Sequence, residues 1–301
     1  MSDVITIEDK RYPKLLKAIG KDAPKQLYYK GNWPASPTGG QEDIFENCLA
    51  VVGSRRMTSY GKRATEQLTI DLAADGVTIV SGFMYGVDAT AHRAALSAGG
   101  RTIAVMPCGI DLIHPEYQED LYNEILENNG LVISEYEGKM LPSNWTYPRR
   151  NRIVAGLSRA ALIIEAGEKS GSLITANFAK KFNRKLFAVP GPITSATSAG
   201  TLELIKKGAV LATNSRDVLD YYGFSQGIPL RSRRQTHGLP EARSGASPLE
   251  KKIIEELQRE PLGIDELARI FEISASEIGT TISMLQLQGI ISQEGNKYCI
   301  N

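Results

Sequence analysis

Near residue 50 the chain reads Leu49-Ala50-Val51-Val52-Gly53-Ser54-Arg55-Arg56, a short aliphatic run that passes directly into a glycine and two arginines. A run of this length and composition is typical of a strand that is covered on both faces. The glycine and the polar residues after it mark a turn into the next element. The stretch therefore predicts one strand-to-helix junction of a parallel sheet.

Further apolar runs of strand length alternate with amphipathic segments of helix length as far as Tyr222. The predicted strands are 49–52, 77–80, 102–106, 131–134, 160–165, 186–189 and 209–212. The predicted helices between them are 62–74, 89–98, 116–128, 173–182 and 202–207. This repeated order predicts an α/β fold with a Rossmann-like, doubly wound parallel sheet.

Composition divides the 301 residues into four parts. We expect an N-terminal extension packed on the main domain (1–45), a Rossmann-like domain (46–224), a linker (225–247) and a small C-terminal domain (248–301). The linker is predicted because that segment lacks aliphatic periodicity. The last part has three helical patterns, 249–259, 263–271 and 276–288, and then two short strands around a Gly-Asn turn, which predicts a winged-helix domain.

Positive charge is concentrated in one part of a chain whose net charge is only +1. Residues 138–202 contain ten lysines and arginines but two glutamates, a net charge of +8, so the other residues together carry −7. A polyanion would be attracted to this part of the molecule. The densest cluster is Tyr147-Pro148-Arg149-Arg150-Asn151-Arg152, two residues after Trp145.

Arginines beside aromatic rings are typical of proteins that hold single-stranded nucleic acid. Cations follow the phosphates, and exposed bases stack on the rings for about 1–3 kcal/mol each. The alternative is that Trp145 and Tyr147 pack in the core while the arginines cap helices or pair locally.

Four strand-to-helix junctions contain glycine with serine or proline. They are Gly53 to Arg56, Ser81-Gly82, Ser170-Gly171-Ser172 and Pro190-Gly191-Pro192. Because ligands of a doubly wound sheet bind at the carboxyl ends of its strands, these junctions are expected to meet in one phosphate-binding crevice. No dinucleotide fingerprint, phosphate-binding P-loop or nucleophile elbow is present, so we expect no cofactor and no catalytic residues.

Cysteine and histidine usage argues against a metal site. Cys48, Cys108 and Cys299 lie far apart and form no Cys-x-x-Cys pair, and the three histidines are equally scattered. No apolar stretch approaches the roughly 20 residues of a membrane span. We expect reduced thiols, no metal and a cytoplasmic protein without a membrane partner.

Taken together and in this order, the junctions resemble the DNA-processing protein A family, also called DprA or Smf. The resemblance covers about residues 8–222. The matching pieces are Val52 to Arg55, Ser81-Gly82 with Gly86-Val87-Asp88, Pro148 to Ser158, Glu165-Ala166 with Ser170 to Ala176, and Ala188 to Gly191.

The resemblance implies an extended Rossmann fold that binds single-stranded DNA, forms a homodimer and loads RecA recombinase during natural transformation, without a catalytic reaction. It places Arg55 at a phosphate-contacting position, Tyr147 at the position of a stacking phenylalanine, and Arg149 to Arg152 in a DNA-binding segment. The expected DNA-binding residues are Gly53, Ser54, Arg55, Arg56, Ser81, Gly82, Tyr147, Arg149, Arg150, Asn151, Arg152, Ser170, Gly171, Ser172 and Lys180.

Two positions depart from the family pattern. Tyr85 stands where some relatives have a cation, and Asn144 stands where some have a lysine. We therefore expect a pocket that relies more on stacking and less on charge.

The C-terminal domain resembles the winged helix that many family members carry. Residues 245–301 hold five cations against nine acids, and the predicted recognition helix 276–288 has no lysine or arginine. Because an acidic surface does not attract duplex phosphates, we expect this domain to bind protein or to cover the basic pocket. The alternative is an appended domain with no such contact.

Two other functions compete with DNA binding. One is a phosphoribohydrolase that cleaves nucleoside monophosphates, suggested by Pro190-Gly191 and Gly200-Thr201. Leu204 occupies the place of the required glutamate and Glu203 comes one residue early, about 100° around a helix. The second is a winged-helix transcription regulator, which the uncharged recognition helix argues against.

Overall fold

The computed structural model describes residues 3–34, 44–224 and 247–300. The chain forms two compact units, 1–226 and 227–301, and each is described by itself. The predicted linker, 225–247, lies outside the described residues except for Ser247.

Within 3–34 and 44–224, nine strands form one sheet, which confirms the predicted α/β fold. Their order across the sheet is β1-β2-β6-β5-β4-β3-β7-β8-β9. The strands are β1 Asp3–Thr6, β2 Gln26–Gly31, β3 Cys48–Val52, β4 Thr78–Ser81, β5 Thr102–Gly109, β6 Leu131–Tyr136, β7 Ala160–Ile163, β8 Lys185–Ala188 and β9 Val210–Leu211. The order reverses between β3 and β7, and such a reversal opens a crevice at the carboxyl ends of the strands.

The N-terminal residues extend this sheet instead of forming a separate layer. β2 pairs antiparallel with β6, with Tyr28 opposite Ser134, and β1 pairs antiparallel with β2. The buried side chains of Ile5 and Leu27 join the core cluster under β3 and β5. The extension thus supplies an edge of the main sheet, and β2 begins beside the carboxyl end of β6.

Helices cover both faces of the sheet. The buried clusters place α1, α5 and α6 on one face and α2, α3, α4 and α8 on the other. The helices are α1 Lys14–Lys17, α2 Ser59–Ala74, α3 Val87–Ser97, α4 Glu119–Glu127, α5 Thr146–Leu157, α6 Ser172–Lys181, α7 Ala199–Lys206 and α8 Arg216–Tyr222.

Helix α5 is absent from the sequence prediction, although it carries the arginine cluster. Its first half reads as a polar loop, but Arg150, Ile153, Val154 and Leu157 form a buried stripe with helical spacing, and Arg152, Ala155 and Gly156 are buried beside it. An arginine therefore occupies a position of the buried stripe that normally holds an apolar residue, and this hides the helical period.

The second unit is a winged helix, as predicted. Its helices are Pro248–Arg259, Ile264–Phe271 and Ala275–Leu287, and its hairpin joins Ile291–Glu294 to Lys297–Ile300. Ser247 and Glu250 form a reciprocal capping box at the start of the first helix. Across the described residues of both units, no helix is both long and apolar enough to cross a bilayer.

His92 is buried in α3, and its hydrogen bonds define its tautomer. The hydroxyl of Thr102 donates to the carbonyl of Ile79 at 2.9 Å, so its oxygen accepts from Nδ1–H of His92 at 2.6 Å. Nε2 is buried without a hydrogen-bond partner among the described residues. Burial, and secondarily the charge of Arg150, lowers the pKa of His92 to about 3.

This histidine makes the fold sensitive to acid. Because its pKa in the folded chain lies below the unfolded value, its contribution to stability is present above about pH 6.5 and is lost as pH falls. We expect the difference in unfolding free energy between the native chain and His92→Gln to shrink by about 1 kcal/mol between about pH 7 and about pH 5.5. Urea unfolding at both pH values measures it, and equal pH dependence in the two proteins would contradict the assignment.

Candidate nucleic-acid interface

The strand tips of the main unit present a cation between two aromatic rings. The guanidinium carbon of Arg55, in the β3–α2 turn, lies 4.9 Å from the ring centre of Tyr147 and 6.0 Å from that of Tyr85. Tyr117 continues this surface, with its ring centre 6.5 Å from that of Tyr85. We call Arg55, Tyr85, Tyr117 and Tyr147 the aromatic–arginine cluster.

Three members of this cluster are exposed, and the fourth, Tyr147, is half-buried. Arg55 is exposed, Tyr85 is 41% exposed and Tyr117 is 71% exposed. Among the described residues, Arg55 and Arg56 form no ion pair. A free guanidinium beside exposed rings can bind a phosphate while a base stacks next to it.

His114 holds Tyr147 in place from the opposite loop. Its Nε2 lies 2.8 Å from the hydroxyl of Tyr147. Partial burial, and then the positive charge of Arg55, lowers the pKa of His114, which keeps its ring neutral at pH 7. The cluster therefore carries its positive charge on the arginine and not on the imidazole.

A backbone contact sets the position of Arg55. Gly86 has φ +78°, and a Cβ there would overlap the carbonyl oxygens of Ser54 and Arg55. The N–H of Val87 donates to the carbonyl of Ser54 at 3.2 Å. Only glycine permits this approach of the β4–α3 turn to the β3–α2 turn, which brings Tyr85 beside Arg55.

Arg150 does not belong to this accessible surface. It is 4% exposed, and its Nη1 donates to the carbonyls of Gly82, just after β4, and of Val105, inside β5. Burial, and then the nearby charge of Arg55, lowers its pKa to about 10, although Asp88 opposes this change. Arg150 thus joins two strands of the sheet, and its expected contact with DNA stays a prediction.

The junction after β4 is filled by protein groups. A Cβ on Gly82 would lie 2.5 Å from Nη1 of Arg150 and 2.5 Å from Oδ2 of Asp88. Ser81 is fully buried, and its hydroxyl donates to the carbonyl of Val51 at 2.6 Å. The guanidinium of Arg150 and the carboxylate of Asp88 thus lie against Gly82, and the expected phosphate contacts at Ser81 and Gly82 stay predictions.

Arg149 and Arg152 share one carboxylate. Arg149 donates to both oxygens of Glu135, at 3.0 and 3.1 Å, and Nη2 of Arg152 lies 2.5 Å from Oε1 of the same residue. Burial raises the pKa of Glu135, but the hydrogen bonds and charges of the two arginines outweigh it, and the pKa is lowered. One positive charge of the pair remains uncompensated, and Arg152 is only 8% exposed.

Asn151 links α5 to the turn before α6. Its side-chain oxygen accepts from Nε of Arg150 at 3.0 Å, and its side-chain nitrogen donates to the carbonyl of Gly171 at 3.3 Å. In that turn the hydroxyls of Ser170 and Ser172 lie 2.8 Å apart, and Ser172 is buried. Gly171 is exposed and thus the accessible member of the turn.

Two further residues, Glu165 and Lys180, lie at the ends of helices. Glu165 accepts from the backbone N–H of Thr58 at 2.8 Å and from its hydroxyl at 2.6 Å, so a carboxylate already occupies the N-terminal end of α2. Lys180 is exposed but lies in the last turn of α6, which runs away from the strand tips. Lys180 is therefore placed away from the aromatic–arginine cluster, and its expected contact with DNA stays a prediction.

The remaining predicted residues, Gly53, Ser54 and Arg56, lie next to Arg55 in the same turn. The side chain of Ser54 accepts from the backbone N–H of Arg56 at 3.0 Å, which shapes the turn. Gly53 permits close packing, because a Cβ there would meet the side chain of Val87. The structure therefore brings Gly53 to Arg56 together with Tyr147, whereas the three guanidiniums of α5 point elsewhere.

Sequence reasoning missed Tyr117 and His114. Both lie in the long connection after β5, far from every glycine-containing junction, and neither stands in a recognisable motif. Tyr85 was noticed as a replacement for a cation. Its proximity to Arg55 could not be read from spacing along the chain.

Comparison with known proteins gives matches over both units. Residues 3–223 match the family model of DNA recombination-mediator protein A, and residues 238–297 match the DprA winged helix domain. Protein Smf of Synechocystis sp. is 34% identical, over 98% of this chain and 79% of the relative.

Two solved structures match the larger unit. DprA from Streptococcus pneumoniae has a TM-score of 0.66 and 39% identity, over 73% of this chain and 74% of that chain. DprA from Helicobacter pylori, whose structure concerns a single-stranded DNA binding mode, has a TM-score of 0.62 and 34% identity, over 73% of this chain and 95% of that chain.

Proposed function

The chain belongs to the DNA recombination-mediator protein A family, known as DprA or Smf, and we propose that it binds single-stranded DNA without catalysing a reaction. It protects incoming strands and helps load RecA recombinase during natural transformation or recombination. The protein acts as a homodimer.

The observation that carries this proposal is the exposed guanidinium of Arg55 between the rings of Tyr85 and Tyr147. A sequence-independent single-strand binder needs a cation for the phosphate and a ring for the base. The concentration of positive charge in 138–202 adds long-range attraction.

Support for the partners comes from the family. Its description as a recombination mediator fits a protein that passes strands to a recombinase, and the H. pylori relative is described by its single-stranded DNA binding mode. The dimer rests on the family resemblance alone. The recognition helix, Ala275–Leu287, has no lysine or arginine and contains Glu277, which makes the winged helix a better protein-binding than duplex-binding module.

The phosphoribohydrolase alternative has little support in this structure. Glu203, the carboxylate closest to the enzymatic pattern, is half-exposed on α7 and pairs with Lys207 at 3.1 Å. A general acid or base for a buried glycosidic bond needs a carboxylate that faces a pocket.

A binding series with matched single- and double-stranded oligonucleotides, measured by fluorescence anisotropy over a salt gradient, tests the proposal. We expect preference for the single strand at every salt concentration and little dependence on sequence. Release of adenine from AMP, or tighter binding of duplex than of single strand, would contradict it.

Stacking on Tyr147 can be tested separately from charge. Tyr147→Leu should weaken oligothymidylate binding by about 1 kcal/mol, roughly fivefold, because leucine retains apolar contact but no ring face. Tyr147→Phe keeps the ring and loses only the hydroxyl contact with His114, so its affinity should stay within about twofold of the native value. Equal losses in both variants would assign the effect to that hydroxyl.

A further inference from the structure

A second concave site lies, like the aromatic–arginine cluster, where the parallel strands end. A cavity of about 680 Å³ is enclosed by the segment before β2, the end of β6 and α5. Its charged lining residues are Lys21, Lys25, Arg149, Arg152, Asp22 and Glu135. This volume is within the range of about 300–1,000 Å³ that is usual for ligand pockets.

The cavity is separated from the aromatic–arginine cluster by the body of α5. Arg149 and Arg152 are three residues apart and share one face of the helix. Tyr147 lies about 200° around the axis from Arg149. The two sites therefore lie on different sides of one helix, whose first turn contains no acidic residue.

Arg152 lines this cavity with a guanidinium that is largely buried. Its Nη2 pairs with Glu135, but its Nη1 is buried and has no hydrogen-bond partner among the described residues. A buried donor without an acceptor costs about 1–3 kcal/mol. Since Nη1 has no accessible surface, the exposed cations of the cavity are Arg149, Lys21 and Lys25.

The charges of the lining favour an anion with several oxygens. Four cations face two carboxylates, and one of these, Asp22, also pairs with Lys181 at 2.6 Å outside the lining. Lys21 and Lys25 are exposed, so their ammonium groups can reach a ligand without breaking an internal ion pair of the described residues. Phosphate, with its spread of acceptor oxygens, fits such a set of donors.

A stacking platform stands next to these cations. Trp145 is 56% exposed and packs edge-on against Tyr136, with ring centres 5.8 Å apart. Tyr136 lines the cavity. A base can therefore stack beside the phosphate, which favours a nucleotide unit over a bare anion.

We propose that this cavity is a second nucleotide subsite, which holds a phosphodiester and its base a few nucleotides along the same strand from the aromatic–arginine cluster. The inference rests on the proposed function and extends it. The strand passes the N-terminal end of α5 and reaches both sides of the helix.

The test removes the two exposed lysines of the cavity. Lys21→Gln/Lys25→Gln is compared with Lys185→Gln/Lys206→Gln, which removes two exposed lysines at the opposite edge of the sheet. Anisotropy is measured with oligothymidylates of about 6 and about 20 nucleotides over a salt series.

The two double variants should differ only with the longer oligonucleotide. The cavity variant should bind it about tenfold more weakly than the control variant, with a salt slope lower by up to about 1.4, since each phosphate contact contributes about 0.7. Both variants should bind the shorter oligonucleotide alike. Equal binding of the longer one by both variants would overturn the subsite.

Titration with inorganic phosphate distinguishes binding of a free anion from binding of a nucleotide unit. The readout is the fluorescence of Trp145, measured over the constant background of buried Trp33. A response to phosphate, together with equal oligonucleotide binding by both variants, would replace the nucleotide subsite by an anion site. If the native chain bound neither oligonucleotide, the proposed function itself would fail. Retained binding without a difference between the variants would reject the second subsite alone.

Discussion

Arg55→Ala should weaken binding of oligothymidylate by about 10- to 100-fold and leave the fold intact. A hydrogen bond to a charged group contributes about 1.5–3 kcal/mol, and Arg55 is the exposed cation that stands between two rings. The salt slope should fall by about 0.7 for each phosphate contact that is lost. Fluorescence anisotropy over a salt series measures both quantities.

The control for Arg55 is Lys206→Ala, which removes an exposed cation at the far end of α7. Its affinity should stay close to the native value. Arg149→Ala should also have a smaller effect than Arg55→Ala, because that guanidinium already binds Glu135. Native affinity in Arg55→Ala, with native thermal stability, would remove the main support for the proposed site.

Arg150→Ala should lower the free energy of unfolding by about 3–5 kcal/mol. The substitution leaves the carbonyls of Gly82 and Val105 without their donor and leaves Asp88 buried beside an empty space. Urea unfolding followed by circular dichroism measures the loss. Any loss of DNA binding should then follow the fraction of unfolded protein.

A second variant keeps this prediction testable if Arg150→Ala does not fold. Asp88→Asn/Arg150→Met replaces the buried charges by groups of similar volume, and should be more stable than Arg150→Ala, because no uncompensated carboxylate remains. Burial already raises the pKa of Asp88, although Arg150 lowers it in part. If Arg150→Ala is as stable as the native chain but binds DNA weakly, Arg150 is a direct contact after all.

The contrast between Arg55 and Arg150 shows how far charge along a sequence predicts a binding surface. Arg149, Arg150 and Arg152 form one dense cluster in sequence, but successive residues of a helix are rotated by about 100°. One guanidinium is therefore buried against the carbonyls of Gly82 and Val105, while the other two pair with Glu135. Sequence reasoning treated them as one surface because the helical period of α5 was hidden by its arginines.

The aromatic part of the site shows the opposite difficulty. Tyr85, Tyr117 and Tyr147 come from the segments that follow β4, β5 and β6, and their proximity depends on these strands ending at the same edge. The general location could be predicted, since the carboxyl ends of parallel strands are the usual binding edge. The particular set of rings could not, because no spacing along the chain connects them.

By itself the sequence determined the parallel sheet and the winged helix, because hydrophobic period and strand-to-helix turns are local properties. Only the tertiary structure decided which cations are free. A guanidinium is available for a phosphate when no carbonyl or carboxylate of a distant segment has already taken its donors, and such partners are brought by folding. For this reason Arg55 is free to bind while Arg150 is part of the core.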